Sequence, residues 1–277
     1  MPELTKLANI AKRAGDMALQ MQPTIVANKN GEIEHKPDGS VITPADIEAH
    51  KMIMADLNEH FPNIPVVSEE SSKESRETAS QAPERFETDP VDNTGGYAKG
   101  RDGYSVNIGR IKDGEPIEGA VYFPAREELY FTGQDGNAYL QKADNAPKRI
   151  SASRLPIKQP LQVVTGFSEQ HLEHLDGRDI ETKKLPAQLR TCSVATGECD
   201  ISGINKGAKG GFNTWDVAGP HAVLKAAGGE MVTEDGKPLT YPEGNLKLPN
   251  HIAGAKDVLI ALGISESQDL NNGRKIH

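Results

Sequence analysis

Cysteine is nearly absent from this 277-residue chain: only Cys192 and Cys199 occur, and no C-x-x-C spacing joins them. Neither a disulfide framework nor a zinc knuckle can organise such a fold, and a reducing, cytoplasmic setting is the expectation. Long apolar runs are missing too. None approaches the roughly 18 residues that a membrane span requires, and the stretch from Met1 to Lys6 lacks the basic-then-apolar pattern of a secretory signal. Positive charge is in deficit, 31 Lys and Arg against 40 Asp and Glu for a net charge of −9. That balance argues against a broad face for a nucleic-acid polymer. It is compatible with a small anionic substrate if bound cations reverse the local field. No internal repeat is visible, and Gly203 to Gly211 lacks the spacing of a P-loop or a dinucleotide fingerprint.

What remains is an ordinary globular balance of 36% apolar and 26% charged residues, with chain enough for one large domain or two modest ones. Leu4, Leu7, Ala8, Ala11, Ala14, Ala18 and Met21 recur at helical spacing and predict an amphipathic helix over 3–21, stopped ahead of Pro23. Asn28 to Gly39 is polar and turn-rich, with Asn30-Gly31 at a loop tip. Thr43-Pro44-Ala45-Asp46 has a hydroxyl cap, proline at the first helical position and an acid at the third, the start of a helix that ends near Phe61. Ile64 to Ser68 reads as a strand running into Glu69-Glu70, Ser71 to Pro83 as a solvated loop, and Arg85 to Thr88 as a second strand. From Tyr104 the period becomes two. Strands over 104–112, 117–123, 128–132 and 137–141 form an antiparallel meander.

Lys142 to Gln159 reads as a junction, dividing the chain into 1–150 and 151–277. Beyond it strand and helix alternate. A strand over 161–166, helices over 168–175 and 187–197, a strand over 199–202, and a helix over 215–227 stopped by Gly228-Gly229 come first. A strand over 230–233, another near Ile252 and a closing helix over 256–262 follow. This order implies a partly parallel sheet covered by helices, and the whole an α+β or α/β fold.

The chemistry gathers in acids at the ends of elements: Asp46 at a helix start, Glu69 and Glu70 after a strand, Asp89 and Asp92 in Thr88-Asp89-Pro90-Val91-Asp92-Asn93-Thr94, and Asp216 behind Trp215. Each alone has a plain explanation as a cap or a turn residue. Gathered in one pocket they would repel one another unless cations neutralised them. Hard cations such as Mg²⁺ take such oxygen donors and leave room for phosphate oxygens. His171-Leu172-Glu173-His174 reads as a solvated helix face rather than a zinc site.

Three motifs, Ser68-Glu69-Glu70-Ser71, Asp89-Pro90-Val91-Asp92-Asn93-Thr94 and Trp215-Asp216-Val217-Ala218-Gly219 with Ala226-Ala227-Gly228-Gly229, resemble in order and spacing a known phosphatase superfamily. It comprises the Mg²⁺-dependent, lithium-sensitive inositol monophosphatases, fructose-1,6-bisphosphatases and 3′(2′),5′-bisphosphate nucleotidases. The runs Asp38 to Asp46 and Pro62 to Glu70 are most similar to the nucleotidase (CysQ-type) branch. The resemblance implies a layered αβαβα sandwich and two Mg²⁺ ions. One would be held by Glu69, Asp89 and the Val91 carbonyl, the other by Asp89, Asp92 and Asp216. It also implies that Thr94 works with Glu69 to orient the attacking water, and that Glu70 and Asp46 support a weaker third site or that water. Asn93, Thr94 and Gly95 would lie on the phosphate side.

Departures fall on the substrate side. Asn93 replaces the family's glycine, Gly95-Gly96 a lysine and a glutamate, and Leu185-Pro186 a Gly-Ser pair. The Lys206 to Gly211 loop offers Lys206 or Lys209 as a replacement cation. The implied activity is hydrolysis of 3′-phosphoadenosine 5′-phosphate to AMP and phosphate by a monomer or homodimer. An inositol monophosphatase-like sugar phosphatase, or a catalytically silent metal- and nucleotide-binding protein, are the alternatives.

Overall fold

The computed structural model describes residues 3–28, 33–36, 39–157, 159–164, 175, 177–186, 188–204 and 212–265. Most of the expected 168–175 helix, both histidines of His171–His174, Lys206, Lys209 and the tail after Ser265 lie outside the described residues. The first helix, α1 (Lys6–Ala27), is capped by the Thr5 hydroxyl, which accepts from the Ala8 N–H. It does not stop at Pro23 but runs through it. An interior proline costs a helix about 3 kcal/mol, and tertiary contacts offset it here. The Tyr97 hydroxyl donates to the Ala18 carbonyl at 2.7 Å, Gln22 donates to the Tyr97 carbonyl at 3.0 Å, and Ile25 is buried in the last turn.

A hairpin of β1 (Glu34–His35) and β2 (Val41–Ile42) leads into α2 (Pro44–His60), whose start and end fall where the Thr43-Pro44 signal and Phe61 placed them. After β3 (Val66–Ser68) the expected loop over 71–83 instead contains α3 (Lys73–Ser80), capped by the Ser72 hydroxyl. Only Ala79 and Ser80 of α3 are buried, so it has almost no apolar stripe to betray it. Next come β4 (Glu84–Asp92), α4 (Thr94–Tyr97), β5 (Ser105–Lys112), β6 (Glu115–Phe123), β7 (Glu128–Thr132), β8 (Ala138–Lys142) and the short β9 (Lys148–Arg149). Strands β3 to β9 form one sheet in chain order, with β3 parallel to β4 and every other pair antiparallel.

The remaining elements are β10 (Leu161–Val164), β11 (Ile180–Lys183), α5 (Leu189–Ala195), β12 (Ile201–Ile204), β13 (Phe212–Asn213), α6 (Thr214–Ala226), β14 (Gly229–Thr233), β15 (Lys247–Leu248), β16 (His251–Ala255) and α7 (Lys256–Ala261). The second sheet has the order β11-β10-β12-β16-β14, parallel where β10 meets β11 and β12, as the alternation implied. Strand β11 and the small β13–β15 pair had no sequence signal, being two to four residues long.

Strand alternation distributes the layers. Ile108 turns into the core that α1 and α2 make with the first sheet, while neighbouring Gly109 turns to the opposite face, against α6. In the second sheet Gly229 meets Leu224 of α6, and Gly254, one position out of phase with Gly229's partner Ala255, meets Leu259 of α7. The layers therefore run α1/α2, sheet, α5/α6, sheet, α7. Helix α6 lies so close to the first sheet that a Cβ on Gly109 would stand 2.6 Å from the Ala218 carbonyl carbon and the Gly219 nitrogen. Backbone cannot yield there as a flexible side chain would. Gly109→Ala is expected to cost about 1–3 kcal/mol of stability, and urea denaturation of the variant checks it.

Candidate functional site

Strand β4 does not end at Thr88 but continues through Asp92, and its pairing to β5 shifts register inside the motif. Asp89 pairs with Asn107 and Asp92 with Ser105, so three steps on β4 span two on β5. In a regular strand residues three apart face opposite sides; the extra residue of a bulge cancels that alternation and lets both acids serve one side. Pro90, with no N–H to give, sits inside the irregularity. The Asp89 carboxylate accepts the Val91 N–H at 3.1 Å, and the Val91 carbonyl lies 2.9 Å from the Thr94 hydroxyl. Asn93 then turns the chain with φ 65° and ψ 45°, the left-handed region that asparagine tolerates better than most residues.

Asp46 reaches this turn from the start of α2. Its Oδ2 accepts the Thr43 N–H at 2.8 Å and the Thr43 hydroxyl at 2.6 Å, and its Oδ1 stands 2.8 Å from the Thr94 hydroxyl. The capping acid thus also ties α2 to the β4 motif. Burial raises the Asp46 carboxyl above its ordinary range, opposed by the hydrogen bonds from Thr43 and Thr94 and reinforced by the nearby Glu69 charge.

Glu69 and Glu70 leave β3 on a turn that α3 braces. Arg76 of α3 donates to the Glu69 and Ser71 carbonyls, and its guanidinium lies over the Trp215 ring, 5.2 Å from the centroid. The Trp215 indole N–H donates to Glu69 Oε2 at 3.2 Å. Lys36, in the polar segment before β2, sets its ammonium 2.8 Å from both Glu69 Oε1 and Glu70 Oε1. Burial works to lower the Lys36 pKa, but the two glutamates outweigh it and leave it raised. Burial raises the Glu70 carboxyl, against the pull of Lys36. Sequence reasoning missed Lys36 and Arg76, since a lone cation in a polar stretch has no periodic signature.

Asp216 comes from the first turn of α6, where the helix dipole favours an acid. The start of α6 is held by a buried polar link. The Thr214 hydroxyl donates to Glu87 Oε2 at 2.6 Å, and Arg85 Nε donates to Glu87 Oε1 at 2.8 Å.

Together these elements bring one ligand oxygen each from Glu69, Asp89 and Asp216 within 4.8 Å of one another. Asp89 is 2% exposed. Burial first, and then the charges of Glu69, Asp92, Asp216 and Asp46, push its carboxyl well above the usual range. Asp46, Asp92 and Glu70 lie around the triad; Lys209 lies outside the described residues. An all-oxygen, mutually repelling donor set suits a hard divalent cation, and the Lys36 ammonium against Glu69 and Glu70 shows that the pocket accepts positive charge.

A carboxyl whose folded pKa exceeds its unfolded value stabilises the fold when protonated, and that contribution is lost as pH rises through the folded pKa. A bound cation would relieve the penalty. Mg²⁺ is therefore expected to raise the thermal midpoint more at about pH 8 than at about pH 5, and to release protons on binding. Thermal scans with and without Mg²⁺, and calorimetry in two buffers of different ionisation enthalpy, measure these effects.

Residues 2–268 match the family model described as the inositol monophosphatase family. The 3′(2′),5′-bisphosphate nucleotidase CysQ of Escherichia coli (strain K12) is 31% identical over 247 residues, which cover 86% of this chain and 93% of that protein. An inositol-1-monophosphatase of Mesorhizobium japonicum is 24% identical over 232 residues, 81% of this chain and 84% of that protein. The solved structure of CysQ from Bacteroides thetaiotaomicron, described as a bacterial member of the inositol monophosphatase family, matches with a TM-score of 0.72 at 26% identity. That match covers 90% of this chain and 97% of the other. No helix among the described residues is long and apolar enough to cross a membrane.

Proposed function

The chain belongs to the inositol monophosphatase family, and from that premise we propose that it is a Mg²⁺-dependent phosphomonoesterase. Its substrate in this reading is 3′-phosphoadenosine 5′-phosphate, cleaved to AMP and phosphate. The observation that carries the reading is the convergence of Glu69, Asp89 and Asp216 oxygens within 4.8 Å, on a chain 31% identical to a bisphosphate nucleotidase. Glu69, Asp89 and the Val91 carbonyl would hold one Mg²⁺, and Asp89, Asp92 and Asp216 a second, with Glu70 beside a third, weaker position. When bound, the ions supply Lewis-acid stabilisation of phosphoryl oxygens and make water a better nucleophile near neutral pH.

The chain's own groups do the rest. The Thr94 hydroxyl, 2.8 Å from Asp46, donates to that carboxylate and so leaves its oxygen lone pairs to accept a proton from the attacking water. Asp46, with its pKa raised by burial, is suited to receive a proton passed through Thr94. Glu69, held by Trp215 and the braced turn, orients the same water. The N–H groups of Asn93 and Thr94 would meet the phosphate oxygens, with Gly95 beside them.

The test compares phosphate release from 3′-phosphoadenosine 5′-phosphate and from inositol 1-phosphate in Mg²⁺. A higher kcat/KM for the nucleotide supports the reading, and a clear preference for the inositol ester replaces it with the sugar-phosphatase alternative. Tight nucleotide binding with no hydrolysis of any phosphomonoester would make the protein a silent binder.

A further inference from the structure

Of the departures from the family pattern, Asn93 and Leu185-Pro186 are far apart in the sequence but meet at Gly103, and Gly95-Gly96 lies beside the first of them. The Asn93 side-chain amide donates to the Gly103 carbonyl at 3.2 Å. A Cβ on Gly96 would stand 2.5 Å from Asn93 Nδ2, so the carboxamide occupies the volume that a side chain at 96 would need. A Cβ on Gly103 would stand 2.6 Å from Pro186 Cγ, so the proline ring rests directly on that glycine. The Leu185 carbonyl just before the proline accepts from Arg190 Nε at 3.0 Å, which fixes the segment to the start of α5.

We propose that Asn93, Gly96, Gly103 and Pro186 form a latch that sets the substrate wall beside the phosphate seat, with the Asn93 carboxamide as its positioning group. The inference rests on the phosphomonoesterase reading. The amide ties the left-handed turn of the acidic motif to Gly103, and Gly103 presents the surface on which Pro186 sits. The wall supplied by the second half of the chain is thereby held at a set distance from the motif. Gly96 is glycine here because Asn93 fills its side-chain space. The Asn93 carboxamide points to Gly103, while its backbone N–H, which glycine would also supply, is the group proposed to face the phosphate, so loss of the latch alters how the remainder of the substrate is held rather than the chemical step.

A double-mutant cycle tests this. Alanine is favourable in a helix, and Gly96 has no positive φ, so the main effect of Gly96→Ala is to expel the Asn93 amide. Gly96→Ala and Asn93→Gly should each raise KM for 3′-phosphoadenosine 5′-phosphate by about 3- to 10-fold, the range of one hydrogen bond, with kcat changed far less. The double variant should be no worse than either single, and Pro186→Ala should shift KM in the same direction. Additive effects, an unchanged KM in Gly96→Ala, or a fall in kcat at constant KM would overturn the proposal. If the wild-type protein hydrolyses neither the nucleotide nor inositol 1-phosphate, the phosphomonoesterase reading fails separately. The cycle is then read from the dissociation constant for 3′-phosphoadenosine 5′-phosphate by calorimetry, where non-additivity supports the latch, and additivity or absence of binding overturns it.

Discussion

Asp89→Asn is expected to abolish turnover, by on the order of 10³-fold or more, while leaving the metal-free protein at least as stable as the wild type. The two halves of that outcome have one cause. Asp89 is buried among Glu69, Asp92, Asp216 and Asp46, which raise its pKa after burial has already done so. Asparagine keeps the shape and an oxygen to accept the Val91 N–H, so the bulged end of β4 keeps its local hydrogen bond. It removes a charge that the neighbouring acids disfavour and that both proposed Mg²⁺ ions require. Thermal scans near pH 8 without Mg²⁺ should show an equal or higher midpoint, and the rise caused by Mg²⁺ should shrink sharply. Turnover within about tenfold of wild type would mean that Asp89 does not bridge the ions.

The second large effect concerns stability. Arg85 and Glu87 are fully buried, and the guanidinium also donates to the Ala82 and Tyr241 carbonyls, each at 3.1 Å. Burial raises the Glu87 carboxyl against the opposing pull of Arg85 and Thr214. Arg85→Met strands the glutamate and both carbonyls and is expected to cost about 3–5 kcal/mol. It should also weaken Mg²⁺ binding, because Thr214, which leans on Glu87, sits two residues ahead of Asp216 in α6. Pairing it with Glu87→Leu should recover part of the loss, since an apolar pair of similar volume needs no charge partner. By contrast, removing the exposed Lys51–Glu48 pair should change stability by less than about 1 kcal/mol. Urea denaturation of the three variants tests the ordering; a mild Arg85→Met would mean that the buried pair is not what holds α6.

Elements with a strong local signal were legible. The start of α2 was written in Thr43, Pro44 and Asp46, and the meander in alternating residues of β5 to β8. Where tertiary contacts overrule local preference the sequence pattern misleads: α1 crosses Pro23 because Tyr97 bonds to Ala18 and Gln22 just ahead of the proline and Ile25 is buried just beyond it. Helix α3 reads as a loop in the sequence because it buries little, yet it positions the Glu69–Glu70 turn through Arg76. The Arg85–Glu87 pair looked like an unremarkable stretch of strand, since nothing in a sequence distinguishes a charge facing water from one facing a buried partner.

By itself the sequence determined the kinds of chemistry available: oxygen donors in a fixed order, no thiol framework, a negative net charge, and the helical and strand periods that build the layers. Only the tertiary structure decided that Glu69, Asp89 and Asp216 share one small volume, that Lys36 stands against two of the site's glutamates, and that Asn93 reaches Gly103. Coulomb repulsion, desolvation and steric exclusion act over a few ångströms of space, whereas local patterning reaches only along the chain. Which acids repel, and which side chain leaves room for which glycine, is set by packing between elements that the sequence holds far apart.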